Sequence, residues 1–208
     1  MILSPILCMM PMDNQLDELF KLRTIHKLKA VERFAHVGTS KKQRHESPAE
    51  HTWSALIIAD YLLATTRNNL NNQQVFNLIL YHDLPELLIG DIPRTPNEDL
   101  KEKQQREHEA TKRTSFILPP ILSPRVKQLL EEYERQETPE SQYAKLVDYL
   151  DADIHDLDYP EDWKGWTLEY YKKIRGKDVE RQLKNFPELK KVFEELTAYL
   201  VKEKYLET

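Results

Sequence analysis

Four chemistry-bearing side chains stand where the hydrophobic period of this 208-residue chain calls for core. His51 shares a stripe with Ala55, Ile58 and Leu62, the spacing of one helix face. Val75, Ile79 and His82 align in the same way, with Asp83 next in the chain. Asp151 lies between Leu150 and Ala152, in a segment that also holds Ala144, Val147 and Ile154. An unpaired buried carboxylate is costly, so such groups must be paired, protonated or bound to a cation. One divalent metal satisfies all four residues. Two imidazoles and two carboxylates make a mixed N/O set suited to Mn2+, Fe2+, Co2+ or Zn2+, with about two octahedral positions left for water and substrate. Water at such a centre becomes acidic enough to furnish hydroxide near neutral pH. Each residue alone has a plainer reading: a satisfied core histidine, a chance His-Asp dipeptide, or an aspartate paired with His155 four residues on. The combination on three predicted helices favours the shared cation.

The elements that must position these residues read as helices. Gly is scarce, at 4 residues, and the 12 prolines sit mostly at the edges of apolar-periodic segments, which leaves almost no β-hairpin turn chemistry. Ser47-Pro48-Ala49-Glu50 is a capping box with Pro at the first helical position, and predicts a helix to about Thr65. Asp13 opens an N-terminal helix ending near Val31, Asn97 caps a charged helix to about Ile117, and Ser123-Pro124 begins one to about Arg135. Thr138-Pro139 opens the helix that carries Asp151. Phe186-Pro187 precedes a final amphipathic helix with Val192, Phe193, Leu196, Tyr199 and Leu200 on its buried face. Trp163, Trp166, Tyr170 and Tyr171 read as core or dimer packing rather than a platform for bases. The fold class expected is all-α, a single-domain bundle of about seven or eight helices over residues 1–208.

Charge and cysteine content exclude several classes. Lys+Arg number 30 against 35 Asp+Glu, a net charge of −5, which argues against a nucleic-acid polymer or an anionic membrane as partner. Lys41, Lys42 and Arg44 form a local basic cluster that could hold one phosphate. Cys8 is the single cysteine, which leaves no disulfide framework and fits a reducing cytoplasm. The apolar Met1–Met12 lacks the basic region of a secretory signal and the ~20 residues of a membrane helix, and reads as a ragged or packed N-terminus. His108, in a charged helix, reads as solvated.

The order of these residues resembles the H…HD…D signature of the HD-domain metal-dependent phosphohydrolases. Glu46-Ser47-Pro48-Ala49-Glu50-His51 is similar to that family's E-S/N-x-x-E-H block. His82-Asp83-Leu84-Pro85-Glu86 through Gly90-Asp91-Ile92-Pro93 resembles the HDxxE…GDxP block of its 5′-deoxynucleotidase subgroup. Tyr143–Val147 leading to Leu150-Asp151 is similar to the closing segment. The resemblance covers about residues 33–159, with the helices of 161–205 packing on that core or forming a dimer contact.

The resemblance implies His51, His82, Asp83 and Asp151 as ligands of one divalent ion, whether Mn2+, Co2+, Fe2+, Zn2+ or Mg2+. Asp148 falls where the family often has Lys and stays outside that set. Glu86 matches the glutamate that orients or deprotonates the attacking water, and Asp91 a second acid near the sugar or leaving oxygen. Arg33 matches a phosphate-binding arginine, with Arg44 a further candidate for that phosphate. Two departures stand out: Pro85 should kink or stop the helix ahead of Glu86, and Phe34 follows Arg33 where Trp is common. The activity implied is release of phosphate from (deoxy)nucleoside 5′-monophosphates by a cytoplasmic homodimer. Another nucleotide substrate (a triphosphate, a cyclic phosphodiester or guanosine tetraphosphate) or a non-catalytic nucleotide-binding module are the alternatives.

Overall fold

The computed structural model describes residues 12–39, 41–91 and 100–208. Caps and prolines decide where its helices begin. Helix α1 (Met12–Lys21) passes into 3-10 turns over Leu22–Ala30, so the helix expected to reach Val31 tightens after Lys21. Strands β1 (His36–Thr39) and β2 (Lys42–His45) then pair antiparallel, His36 opposite His45 and Thr39 opposite Lys42. This small hairpin is an addition to the expected helical bundle, and the all-α class holds. Gly38 makes it possible: its φ of +111° suits glycine, and a Cβ there would collide with the Lys42 carbonyl.

Helix α2 (Pro48–Thr65) starts on the expected capping box. The Glu50 N–H donates to Ser47 Oγ at 3.4 Å, and the Ser47 N–H donates to Glu50 Oε2 at 3.0 Å. Helix α3 (Asn72–Tyr81) is capped by Asn71, which accepts from the Gln74 N–H. After α3 come the single turn α4 (Glu86–Ile89) and α5 (Leu100–Thr114). Asn97, the expected cap of α5, lies outside the described residues, as does most of Met1–Met12. Helix α6 (Ser123–Arg135) and α7 (Pro139–His155) begin where their prolines predict, Thr138 capping α7 from the Ser141 N–H. Helix α8 (Leu168–Leu183) breaks at Gly176, whose φ of +71° lies outside helical space, and α9 (Pro187–Lys202) closes the bundle. The short α4, split off at Pro85, is an addition to the seven or eight helices expected.

The main core lies where α2, α3 and α7 meet. Ala55, Ala59 and Leu62 pack against Val75, Leu78 and Ile79, and both sets against Ala144, Val147 and Leu150. Leu189 and Phe193 of α9 join this core, whereas Tyr199, expected on the same face, is largely exposed. A second cluster of Leu28, Leu84, Leu118, Val126 and Leu130 anchors the turn that follows α3. Trp163 and Tyr171 are buried with Leu200 and Leu206, the core role among the two expected for those aromatics. No helix among the described residues is long and apolar enough to cross a membrane.

Candidate active site

Three helices deliver the chemistry-bearing residues to one place. Because Pro48 and the capping box fix the first turn of α2, His51 enters the core one turn ahead of Ala55 and is fully buried. Helix α3 supplies His82 and Asp83 at its end. Pro85 has no N–H to continue the helix, so the chain proceeds by tighter turns. Leu84 N–H donates to the Tyr81 carbonyl at 3.1 Å and Glu86 N–H to that of Asp83 at 3.0 Å. The stop expected at Pro85 is present. Asp148 and Asp151, three residues apart on α7, face the same way.

His51, His82 and Asp83 each bring one ligand atom within 4.8 Å of the others, a group all of whose members are buried. The tautomers can be read from the outer nitrogens. His82 Nδ1–H donates to the Ile79 carbonyl at 2.7 Å, which leaves Nε2 with its lone pair inward. That Nε2 lies 3.0 Å from Asp83 Oδ1 and is buried without a hydrogen-bond partner. His51 Nδ1 meets Asp151 Oδ2 at 2.6 Å, and its Nε2 meets Asp148 Oδ1 at 2.9 Å. Although burial and the Arg33 charge oppose protonation, the two carboxylates push the His51 pKa up to about 10. An orphaned imidazole nitrogen, a second imidazole between carboxylates and a buried aspartate fit a divalent cation of the borderline class.

The other expected residues are distributed around this cup. Arg33 sets Nη1 3.2 Å from Asp83 Oδ2 and Nε 3.3 Å from Glu46 Oε2, so its fork is held between two carboxylates. Burial, then the Asp83 and Asp91 charges, push the Glu86 carboxyl up to about 9. Its Oε2 is buried without a partner. Asp91 accepts from the Phe34 N–H at 3.2 Å, tying the segment after α4 to the arginine's neighbour. Arg44 turns instead to Glu50 and the His45 carbonyl and is exposed. His108 is exposed and pairs with Glu134 at 3.2 Å.

Sequence reasoning left out Asp148 and its companions. Lys145 Nζ donates to Asp148 Oδ2 at 2.7 Å and the Tyr133 hydroxyl to the same oxygen at 2.9 Å. Burial opposes ionisation of Asp148, but Lys145 and the imidazoles hold it well below the usual carboxylate range. The spacing of Asp148 three residues before Asp151 was the available signal, since it puts both on one face.

A second acidic group beside the site has a measurable consequence. Burial, with added repulsion from Asp162 and Glu46, pushes Asp156 up to about 7, and its Oδ1 lacks a partner. The folded chain thus keeps a proton that the unfolded chain loses above about pH 4. The ionised carboxylate therefore weakens the fold increasingly as pH rises from about 4 to about 7. Since Asp156 is only half-buried, Asp156→Asn should raise unfolding free energy at pH 8 by about 1–2 kcal/mol and change it little at pH 4. Urea titrations at the two pH values measure this; equal midpoints for both proteins at pH 8 would contradict it.

The chain has relatives among known proteins. Residues 25–190 match the HD domain family. The 5′-deoxynucleotidase HDDC2 of Bos taurus is 31% identical over 179 residues, 85% of this chain and 82% of that protein. HDDC2 of Homo sapiens is likewise 31% identical, over 85% of this chain and 83% of its own length. The 5′-deoxynucleotidase hdd1 of Schizosaccharomyces pombe is 27% identical, over 59% of this chain and 63% of its own. A solved structure, a predicted metal-dependent phosphohydrolase from Magnetospirillum magnetotacticum MS-1, has the same fold. It superposes with a TM-score of 0.75 at 24% identity, covering 96% of this chain and 100% of that one. With a helical bundle that gathers His51, His82 and Asp83, and a family match spanning most of its length, this chain belongs to the HD-domain family.

Proposed function

We propose that this protein is a metal-dependent 5′-nucleotidase that releases phosphate from nucleoside 5′-monophosphates, deoxynucleotides above all. The observation that carries this reading is the meeting of His51, His82 and Asp83 beside the Arg33 fork, in a chain 31% identical to 5′-deoxynucleotidases. His51, His82 and Asp83 would hold one divalent ion, with an aspartate of α7 completing the set. When bound, the ion supplies positive charge for the phosphate and acidifies water.

The chain's own groups do the rest. Arg33 is pre-set by Glu46 and Asp83, so its remaining donors can meet phosphate oxygens without reorganisation. Water attacks phosphorus, the bond from phosphorus to the 5′ oxygen breaks, and a proton must reach that oxygen. Glu86 keeps a proton at neutral pH because it is buried near two other acids. It passes this proton to the leaving oxygen and recovers one from the water. Asp91, held through the Phe34 N–H, would serve the sugar side of this exchange.

The test is a substrate panel. Phosphate release should occur from deoxynucleoside 5′-monophosphates, faster than from their ribose counterparts, with Mn2+, Co2+, Fe2+, Zn2+ or Mg2+ added one at a time. Turnover of triphosphates or cyclic phosphodiesters, with none of any monophosphate, would overturn the reading.

A further inference from the structure

Arg33 owes its place to the hairpin that follows it. Its N–H donates to the Glu46 carbonyl at 2.8 Å, and the Glu46 N–H donates to the Ala35 carbonyl at 2.8 Å. The antiparallel pairing of β1 with β2 thus runs on past both strands and sets Arg33 beside Glu46, whose Oε2 lies 3.3 Å from Arg33 Nε. A guanidinium mounted this way moves with its hairpin.

The hairpin cannot hold itself. Two strands of four residues are marginal in water, and none of their residues joins the buried apolar clusters. What seats it is the chain over residues 155–162. The His155 Nε2–H donates to the His36 carbonyl at 2.7 Å, and the Tyr159 hydroxyl to that of Gly38 at 3.1 Å. Asp162 accepts from the His36 N–H at 3.3 Å and meets the His36 Nδ1 at 2.7 Å. Of these residues, His155 reaches both the strand and the arginine's carboxylate, its Nδ1 standing 3.7 Å from Glu46 Oε1. Its ring is mostly buried and stacks on that of Tyr159, with centroids 5.2 Å apart. The sequence offered His155 as a partner for Asp151; the fold turns it toward His36 and Glu46 instead.

We propose that His155 is a positioning residue for Arg33, holding the guanidinium beside Asp83 through the hairpin and through Glu46. The inference rests on the phosphate-releasing reading above and adds to it a residue that acts through the arginine.

A double-mutant cycle separates positioning from general support. His155→Leu removes both contacts and should lower kcat/KM for a deoxynucleoside 5′-monophosphate about 10-fold, since small displacements of a binding group are costly. The same substitution in an Arg33→Lys background should cost less than about 2-fold, because the fork it positions is already gone. Equal losses in both backgrounds would overturn the proposal, as would no loss in either. Calorimetry with Co2+ on the full chain should give an affinity within about 2-fold of wild type; a drop as large as the loss of turnover would put the defect in the metal cup and overturn it too. A further readout needs no turnover. The Arg33 Nε–H signal in 1H–15N spectra, identified by its disappearance in Arg33→Lys, should shift or broaden in His155→Leu, and an unmoved signal would contradict the proposal. Should His155→Leu fail to fold by circular dichroism, His155→Gln takes its place. It keeps an amide N–H for the His36 carbonyl but offers Glu46 no ring, and should lose about 3-fold only where Arg33 is present; wild-type kcat/KM there would overturn the proposal. The two readings fail separately. A wild-type chain that releases no phosphate from any monophosphate sinks the hydrolase, with the Nε–H signal still deciding on His155, while additive losses in an active enzyme sink only the positioning role.

Discussion

Replacing His82 with alanine should abolish metal retention and lower kcat/KM for a deoxynucleoside monophosphate by at least about a thousand-fold, or about 4 kcal/mol of transition-state stabilisation. The magnitude follows from what the side chain does. Its Nε2 is buried without a protein partner, so its proposed worth lies in the ion it would hold and not in a hydrogen bond already made. Its Nδ1–H bond to Ile79 fixes the ring, and no neighbouring side chain can replace that lone pair. The variant should stay folded, because the core of α3 is supplied by Val75, Leu78 and Ile79. Elemental analysis of the dialysed protein and steady-state kinetics measure the two losses together. A folded His82→Ala variant with one bound ion and near-normal turnover would contradict the assignment.

The second large effect belongs to Arg33. Arg33→Lys should lower kcat/KM by about 10- to 100-fold, although the charge is kept. A lysine brings one ammonium point where the arginine brings a planar fork, and the fork here is already divided between Glu46 and Asp83. An ammonium that settles between those carboxylates keeps a single N–H, where the guanidinium keeps three in its plane for a phosphate. If Arg33 served only to neutralise Glu46 and Asp83, the lysine variant would keep its kcat/KM. Kinetics of the variant on one monophosphate, with thermal melting as the control for folding, decide between these outcomes.

Much of this arrangement is written in local signals. Ser47-Pro48 with Glu50, Thr138-Pro139 and Phe186-Pro187 each start a helix at the residue expected, because a cap and a proline act on the first turn alone. The convergence of His51 with His82 and Asp83 was legible for a similar reason. Histidine on an apolar stripe is anomalous whatever the tertiary contacts are, and the family resemblance supplied the link between distant segments.

Other features depend on contacts that no short window encodes. The hairpin of β1 and β2 carries mostly polar side chains and no Asn-Gly or Asp-Gly turn, so its pairing leaves little periodic trace. It is held from outside: Tyr159 hydroxyl donates to the Gly38 carbonyl at 3.1 Å, and His36 meets Asp162 at 2.7 Å. The contacts of Asp148 and Asp151 were equally hidden. Both lie on one face of α7, and the helical period cannot say which carboxylate meets which nitrogen of His51. Arg44 shows the opposite failure. Its charge suited a phosphate, but a glutamate six residues on in the capping box engages it instead.

The central claim is that two imidazoles and buried carboxylate hold a single cation inside the bundle, and X-ray absorption spectroscopy of the Co2+- or Zn2+-loaded protein tests it most directly. One ion per chain is expected, its shell containing two histidine nitrogens at about 2.0–2.1 Å with oxygen donors beside them. A protein that retains no ion, or an ion whose shell lacks imidazole, would contradict it.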